Sequence, residues 1–312
     1  MAQPAPPSDD LPRALPRRAS AARRDPRPRF QPLDVVWIIL LVGLSAGAAA
    51  WAQGVNALQA AGTWLAAGTV AAVYLLGWRT RDRAAGLTAA LLLATSLPFF
   101  SEAANDWRGA LLALLTTSAL FAFVAGWTLP ALLLAGGAAL ARPDGLLLGL
   151  LLLGLAFAQR RPRAWPGALL LLLIAGGGWA ALILMAHQPF PTLVFAPRAE
   201  LLRALAAPSV VFVCWFLLPL AGEAGDAARW ARWLPILGWA FLLLLAESLF
   251  RFGPDAAALL PFRPVLFVLS AGGLSRLLPT LAGDIPRPLA RYALATLAVL
   301  SLAAIHVWLG RF

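Results

Sequence analysis

Eleven runs of apolar residues follow one another along the 312-residue chain, at about 34–53, 62–78, 84–100, 109–126, 129–142, 145–159, 164–186, 208–221, 233–250, 260–278 and 291–310. A hydrocarbon core about 30 Å thick is crossed by roughly 17–25 residues of helix, so most of these runs are long enough to span it; the fifth, sixth and eighth are short. A backbone inside lipid must pair its polar groups within its own segment, which leaves helices or closed barrels. The runs are continuous rather than alternating, and that favours helices. Charged residues make up 12% of the chain and hydrophobic ones 61%, whereas soluble domains are about 25% charged. The expected fold is therefore an all-α, polytopic integral membrane bundle of about eleven transmembrane helices. A coiled coil, a collagen-like repeat and a disulfide-stapled module are excluded.

All 25 basic residues are arginine, and the net charge is +11. In a soluble protein that excess suggests nucleic acid, but no basic-aromatic face or recognised module accompanies it, so no nucleic-acid partner is expected. Seven arginines fall within residues 1–33, a Pro/Arg/Ala-rich stretch without hydrophobic periodicity. It reads as a disordered cytoplasmic tail, followed by one transmembrane domain over 34–312. Ala48, Ala49, Ala50 and Ala52 are small enough for a signal cleavage site, but the long lead favours an uncleaved first helix. If the spans alternate from a cytoplasmic N-terminus, 18 arginines face the cytoplasm and seven (Arg108, Arg142, Arg198, Arg203, Arg251, Arg263 and Arg311) face outward. That agrees with the positive-inside rule and with contacts to anionic lipids. The uncharged turn at Gly126–Pro130 decides the downstream half, because a single kinked helix over 109–142 would invert everything after it. Trp51, Trp64, Trp78, Trp107, Trp127, Trp165 and Trp308 lie near span ends, as an interfacial belt requires. With one cysteine and two histidines, a structural zinc site is not expected.

Three stretches carry a likeness to a known family. Residues 61–124, AGTWLAAGTVAAVYLLGWRTRDRAAGLTAALLLATSLPFFSEAANDWRGALLALLTTSALFAFV, run a helix into a basic turn, a second helix into a small acidic loop, and a third helix back. Residues 133–156 hold an Arg-Pro-Asp-Gly turn between short helices, and residues 250–278 an aromatic-flanked arginine followed by proline and an apolar helix. This resembles the GT-C superfamily of polytopic glycosyltransferases, among them the protein O-mannosyltransferases and the aminoarabinose transferases of lipid A. The resemblance implies a polyprenyl-phosphate-linked sugar as partner and donor, used at the outer face of a bacterial-type inner membrane. The long first outer loop with its catalytic aspartate has no counterpart here: residues 54–61, GVNALQAA, are short and lack an acid. No catalytic residue carries over from the family. A non-catalytic lipid-binding or scaffold subunit is therefore the alternative; a transporter fits less well, because paired interrupted helices are not seen. The sequence names no protein partner.

Transfer from such a donor needs a base, cationic groups for the departing phosphate and a groove for the lipid. The acids of the expected outer loops offer the base. Glu102 and Asp106 are four residues apart, one helical turn, and are the candidate catalytic pair. A divalent cation would need clustered carboxylates of this kind, although Ser101 or Asp106 capping the next helix accounts for them as well. Arg142, Arg263 and Arg251 are the candidate phosphate ligands, with guanidinium forks suited to phosphate oxygens. Asp144 and His187 are candidate polar supports. Arg142 also suits a helix C-terminus and Asp144 a helix N-terminus, while Glu247, one turn before Arg251, is expected to pair with it. Ala199–Ala207 reads as a short interfacial helix. Gly136–Gly137 and Gly176–Gly178 suit close helix packing.

Overall fold

The computed structural model describes residues 57–186, 194–195, 227–251 and 260–281, with isolated helical positions between 35 and 43. The described residues are helical apart from one short strand pair. In chain order they form α1 (Ala57–Thr80), α2 (Arg83–Ala94), α3 (Leu97–Asn105), α4 (Trp107–Val124), α5 (Thr128–Ala141), α6 (Gly145–Ala158) and α7 (Ala164–Leu171). A π-helical turn over Leu172–Gly177 joins α7 to α8 (Gly178–Ala186). Then come β1 (Val194–Phe195), α9 (Ala227–Leu249), β2 (Phe250–Arg251) and α10 (Phe262–Leu281). The strands pair antiparallel, Val194 opposite Arg251 and Phe195 opposite Phe250. That pairing ties a Pro-rich connection to the end of α9.

Four helical stretches are long and apolar enough to cross a membrane: Ala61–Thr80, Trp107–Val124, Ala164–Leu184 and Trp230–Glu247. A fifth results if α2 and α3 together make one crossing. The apolar runs at 34–53, 208–221 and 291–310, the tail over 1–33 and the helix expected at Ala199–Ala207 lie outside the described residues, apart from a few positions of the first run.

The third run is not one straight helix. It breaks after Ala94, and α3 leaves α2 at 64°. Thr95 and Ser96 end α2, and Pro98 sits in the first turn of α3, where its missing N–H costs nothing but where it cannot continue the helix before it. The uncharged turn, by contrast, is a true reversal. Gly126 has a φ of +91°, a conformation glycine adopts without steric cost. α4 and α5 then pack against one another as a hairpin, so the single kinked helix over 109–142 is excluded.

α1 and α4 are the axis of the bundle. α1 packs against α2, α3 and α4, and α10 returns to cover α1 and α2. The α5–α6 hairpin extends the packing on the far side of α4, and α9 closes it against α6 and α10. Between α1 and α2 the backbones nearly touch: a Cβ at Gly77 would stand 2.9 Å from the Gly86 Cα. Small residues permit such approaches in lipid, where packing rather than water exclusion holds helices together. Tyr74, Leu93, Phe99, Leu112, Leu120, Phe123, Leu132, Leu148, Trp233 and Trp239 fill the interior. The α7–α8 span turns Trp165, Leu169, Leu172, Leu173 and Leu184 outward, as a lipid-facing surface would.

Two details differ from the sequence reading. Trp78 is buried and does not belong to an interfacial belt, whereas Trp64, Trp107, Trp127 and Trp165 are exposed. Gly136 and Gly178 are tight against Ile174 and Leu140, but Gly176 and Gly177 have open space around them, so only part of those glycine pairs serves packing.

Candidate functional site

The helices alternate in direction, which sorts the turns to two ends of the bundle. One end holds the α1–α2, α4–α5 and α6–α7 turns with Arg79, Arg81, Arg83, Arg160, Arg161 and Arg163. There Arg161 donates to the Phe123 carbonyl at 2.6 Å and lies 3.8 Å over the Phe123 ring. The other end holds the α3–α4 and α5–α6 turns, the end of α9 and the start of α10. It gathers four carboxylates and two arginines.

The first group is built on the α5–α6 turn. Arg142 ends α5 in an extended conformation, and Pro143 follows it. The Gly145 N–H then donates to the Arg142 carbonyl at 3.0 Å and starts α6. Gly145 lies against the Ala138 backbone so closely that a Cβ there would overlap the Ala138 carbonyl. The turn is therefore tight. α5 and α6 have 14 residues each, about 21 Å at 1.5 Å per residue, and the tip is packed inside the bundle. From α9, Glu247 reaches across: its Oε1 accepts from Arg142 Nη2 at 2.5 Å, while Asp144 Oδ2 is 3.0 Å from the same nitrogen. The three side chains are 5%, 1% and 0% exposed for Arg142, Glu247 and Asp144. Burial pushes the Asp144 carboxyl, in the turn between the helices, above the usual carboxylate range; the neighbouring Arg142 opposes that, and Asp106 adds a smaller upward push.

The second group depends on the α2–α3 break. The bend carries α3 toward α10, where Arg263 Nη2 donates to Glu102 Oε1 at 2.6 Å. Both side chains are about one-fifth exposed, at 19%. Asp106 stands between the groups. It caps α4, accepting from the Gly109 N–H at 3.0 Å, and its charge is felt at Asp144. Glu102 Oε2, Asp106 Oδ2 and Arg263 Nη1 are buried and have no hydrogen-bond partner. Such atoms are costly unless something meets them.

Several expectations need correction. Asp106 follows the end of α3 in a non-helical conformation, so Glu102 and Asp106 do not share a helical face. Ser101 does not cap α4 but donates to the Pro98 carbonyl. Asp144 occupies the N-cap position of α6 without a side-chain capping bond and faces Arg142 instead. Glu247 pairs with Arg142, 105 residues away, rather than being accounted for by Arg251. The backbone of Arg251 lies in β2, and its side chain and all of His187 lie outside the described residues. Glu247 is the residue that sequence reasoning missed. Its signal was present, a single acid near the end of the leucine-rich run 233–250. Among the described residues no three His, Cys, Asp or Glu side chains converge as a metal site.

Compared with solved structures, the chain is similar to ArnT from Cupriavidus metallidurans, crystallised in the apo state. This is a membrane-glycosyltransferase-like fold. The TM-score is 0.50, with 18% identity over 76% of this chain and 49% of ArnT. At that identity the likeness is one of fold, and this chain spans about half the length of ArnT. No family model and no curated protein matches the chain.

Proposed function

We propose that the chain handles a polyprenyl-phosphate-linked sugar at the outer face of a bacterial-type inner membrane, as a GT-C-like glycosyltransferase or a protein derived from one. The observation that supports this reading best is the concentration of Arg142, Arg263, Glu102, Asp106, Asp144 and Glu247 at one end of an otherwise apolar bundle. Ionisable groups within a membrane bundle are expensive, and they are kept chiefly where they do chemistry or guide a ligand. In this reading Arg142 and Arg263 receive the phosphate, with Arg251 nearby in sequence to β2. Asp106 or Glu102 takes the acceptor proton, and Asp144 supports Arg142. The ArnT likeness favours a lipid-linked sugar donor. The arginine-rich opposite end favours a cytoplasmic placement for Arg161 and an outer placement for Arg142.

A second reading, a non-catalytic lipid-binding or scaffold subunit, is favoured by one observation. Both arginines of the cluster are already engaged by carboxylates of the chain itself. Incubating the purified full chain with a labelled polyprenyl-phosphate sugar separates the two. The enzyme reading expects turnover that the Asp106→Asn, Glu102→Gln double variant loses while still binding the lipid. Lipid binding without turnover by the unaltered chain supports the scaffold, and turnover unaffected by the double change rejects the catalytic assignment.

A further inference from the structure

The Arg142 guanidinium is shared by two carboxylates of unlike freedom. Asp144 belongs to the same tight turn, two residues away, and cannot leave without unfolding it. Glu247 comes from a different element, two residues before the last residue of α9. The two contacts fall on one nitrogen, Nη2. With both acids ionised, this nearly dry group carries one negative charge in excess. An incoming phosphate would add further negative charge beside them, and low-dielectric surroundings magnify that repulsion. A phosphate oxygen and a carboxylate oxygen make the same kind of charge-assisted bond to a guanidinium. They are therefore alternatives at one donor. The second pair has the same construction, with Glu102 on α3 holding Arg263 on α10.

From this we infer that Glu247 is a positioning residue that holds Arg142 in reserve and competes with the lipid phosphate for it, so that the phosphate gains the guanidinium by displacing the end of α9. This rests on the reading of Arg142 as a phosphate ligand. It adds that the affinity of the site for a phosphate lipid is set by a carboxylate outside the α5–α6 turn. It also couples occupancy to the position of α9 and of β2, which follows it without a break.

The test measures the affinity of the full-length detergent-solubilised protein for a polyprenyl monophosphate and for the uncharged polyprenol of the same chain length. Glu247→Gln keeps the size of the side chain and an oxygen that accepts from Arg142, but removes the competing charge. It is expected to tighten phosphate-lipid binding roughly ten- to a hundredfold, the equivalent of one charge-assisted hydrogen bond, and to leave polyprenol binding unchanged. A purely structural role for Glu247 would shift both lipids together. Glu102→Gln, which acts on the less buried pair, is expected to move phosphate binding in the same direction. Binding by the unaltered protein that Arg142→Gln abolishes but Glu247→Gln leaves equal or weaker overturns the inference and spares the functional reading. Failure of the unaltered protein and of Glu247→Gln to prefer phosphate lipid over polyprenol overturns both.

Discussion

Removing Arg142 and removing the Glu247 charge should have very unequal consequences for stability, although the two side chains form one ion pair. Arg142→Met leaves Asp144 and Glu247, 0% and 1% exposed, without their shared cation. Breaking a buried pair by deleting one partner costs about 3–5 kcal/mol, and here two acids lose the same partner, so the upper part of that range applies. Glu247→Gln leaves Arg142 with Asp144 at 3.0 Å and with an amide oxygen in place of a carboxylate. That loss is the difference between a charged and a neutral hydrogen bond, about 1–2 kcal/mol. The Arg142→Met, Glu247→Met double variant removes one charge of each sign and should cost clearly less than the sum of its single changes, since contacting residues are strongly coupled. Reversible unfolding of the detergent-solubilised protein in mixed micelles, followed by circular dichroism, gives each value. A Glu247→Gln cost equal to that of Arg142→Met, or additivity in the cycle, would refute the asymmetry.

Three further outcomes can be checked on the same preparation. Gly145→Ala drives a methyl into the Ala138 carbonyl and should cost about 1–3 kcal/mol or more by overpacking; Gly154→Ala meets open space and should be neutral or stabilising by up to about 1 kcal/mol, as thermal unfolding will record. Asp106→Asn can still cap α4, whereas Asp106→Ala should lose about 1 kcal/mol. If Asp106 also takes a proton from an acceptor, Asn should keep the melting temperature and abolish turnover. Asp144 has its carboxyl raised by burial, so between its unfolded and folded pKa values the native state binds more protons than the unfolded one. That group's contribution to stability therefore falls as pH rises through this window and is flat above it. Asp144→Asn should remove this slope in unfolding free energy measured upward from about pH 4; an unchanged slope would remove Asp144 as its source.

The helical architecture was legible because a lipid-spanning helix leaves a local signature, a long run such as Trp107–Val124 with arginine or glycine at its ends. The reversal at Gly126 was legible as a turn, but its handedness in space was not, since no charge lies near enough to orient it. The break before α3 had a visible cause in Pro98, yet the apolar residues continue across it and the run reads as one span. The ionic cluster was legible only by parts. Arg142, Asp144, Glu102 and Asp106 declared themselves as charges at helix ends, whereas their pairing depends on elements 105 and 161 residues apart. Local spacing pointed Glu247 toward Arg251, one turn along the same helix, and tertiary packing gave it a deeper partner. Trp78 went astray for a similar reason: span ends ordinarily meet the interface, but here a neighbouring helix covers the ring.

The widened turn over Leu172–Gly177 makes a point about how this span could change over time. Such a turn holds one more residue than an α-helix would, and beyond it Trp179 donates its indole N–H to the Ala139 carbonyl at 3.1 Å. Deleting a single residue within 172–177 would restore a regular coil and rotate everything beyond by about 100°, carrying that indole off its acceptor and a different stripe of leucines toward the lipid. One codon thus separates two angular settings of the same rod, with its apolar character left intact in both.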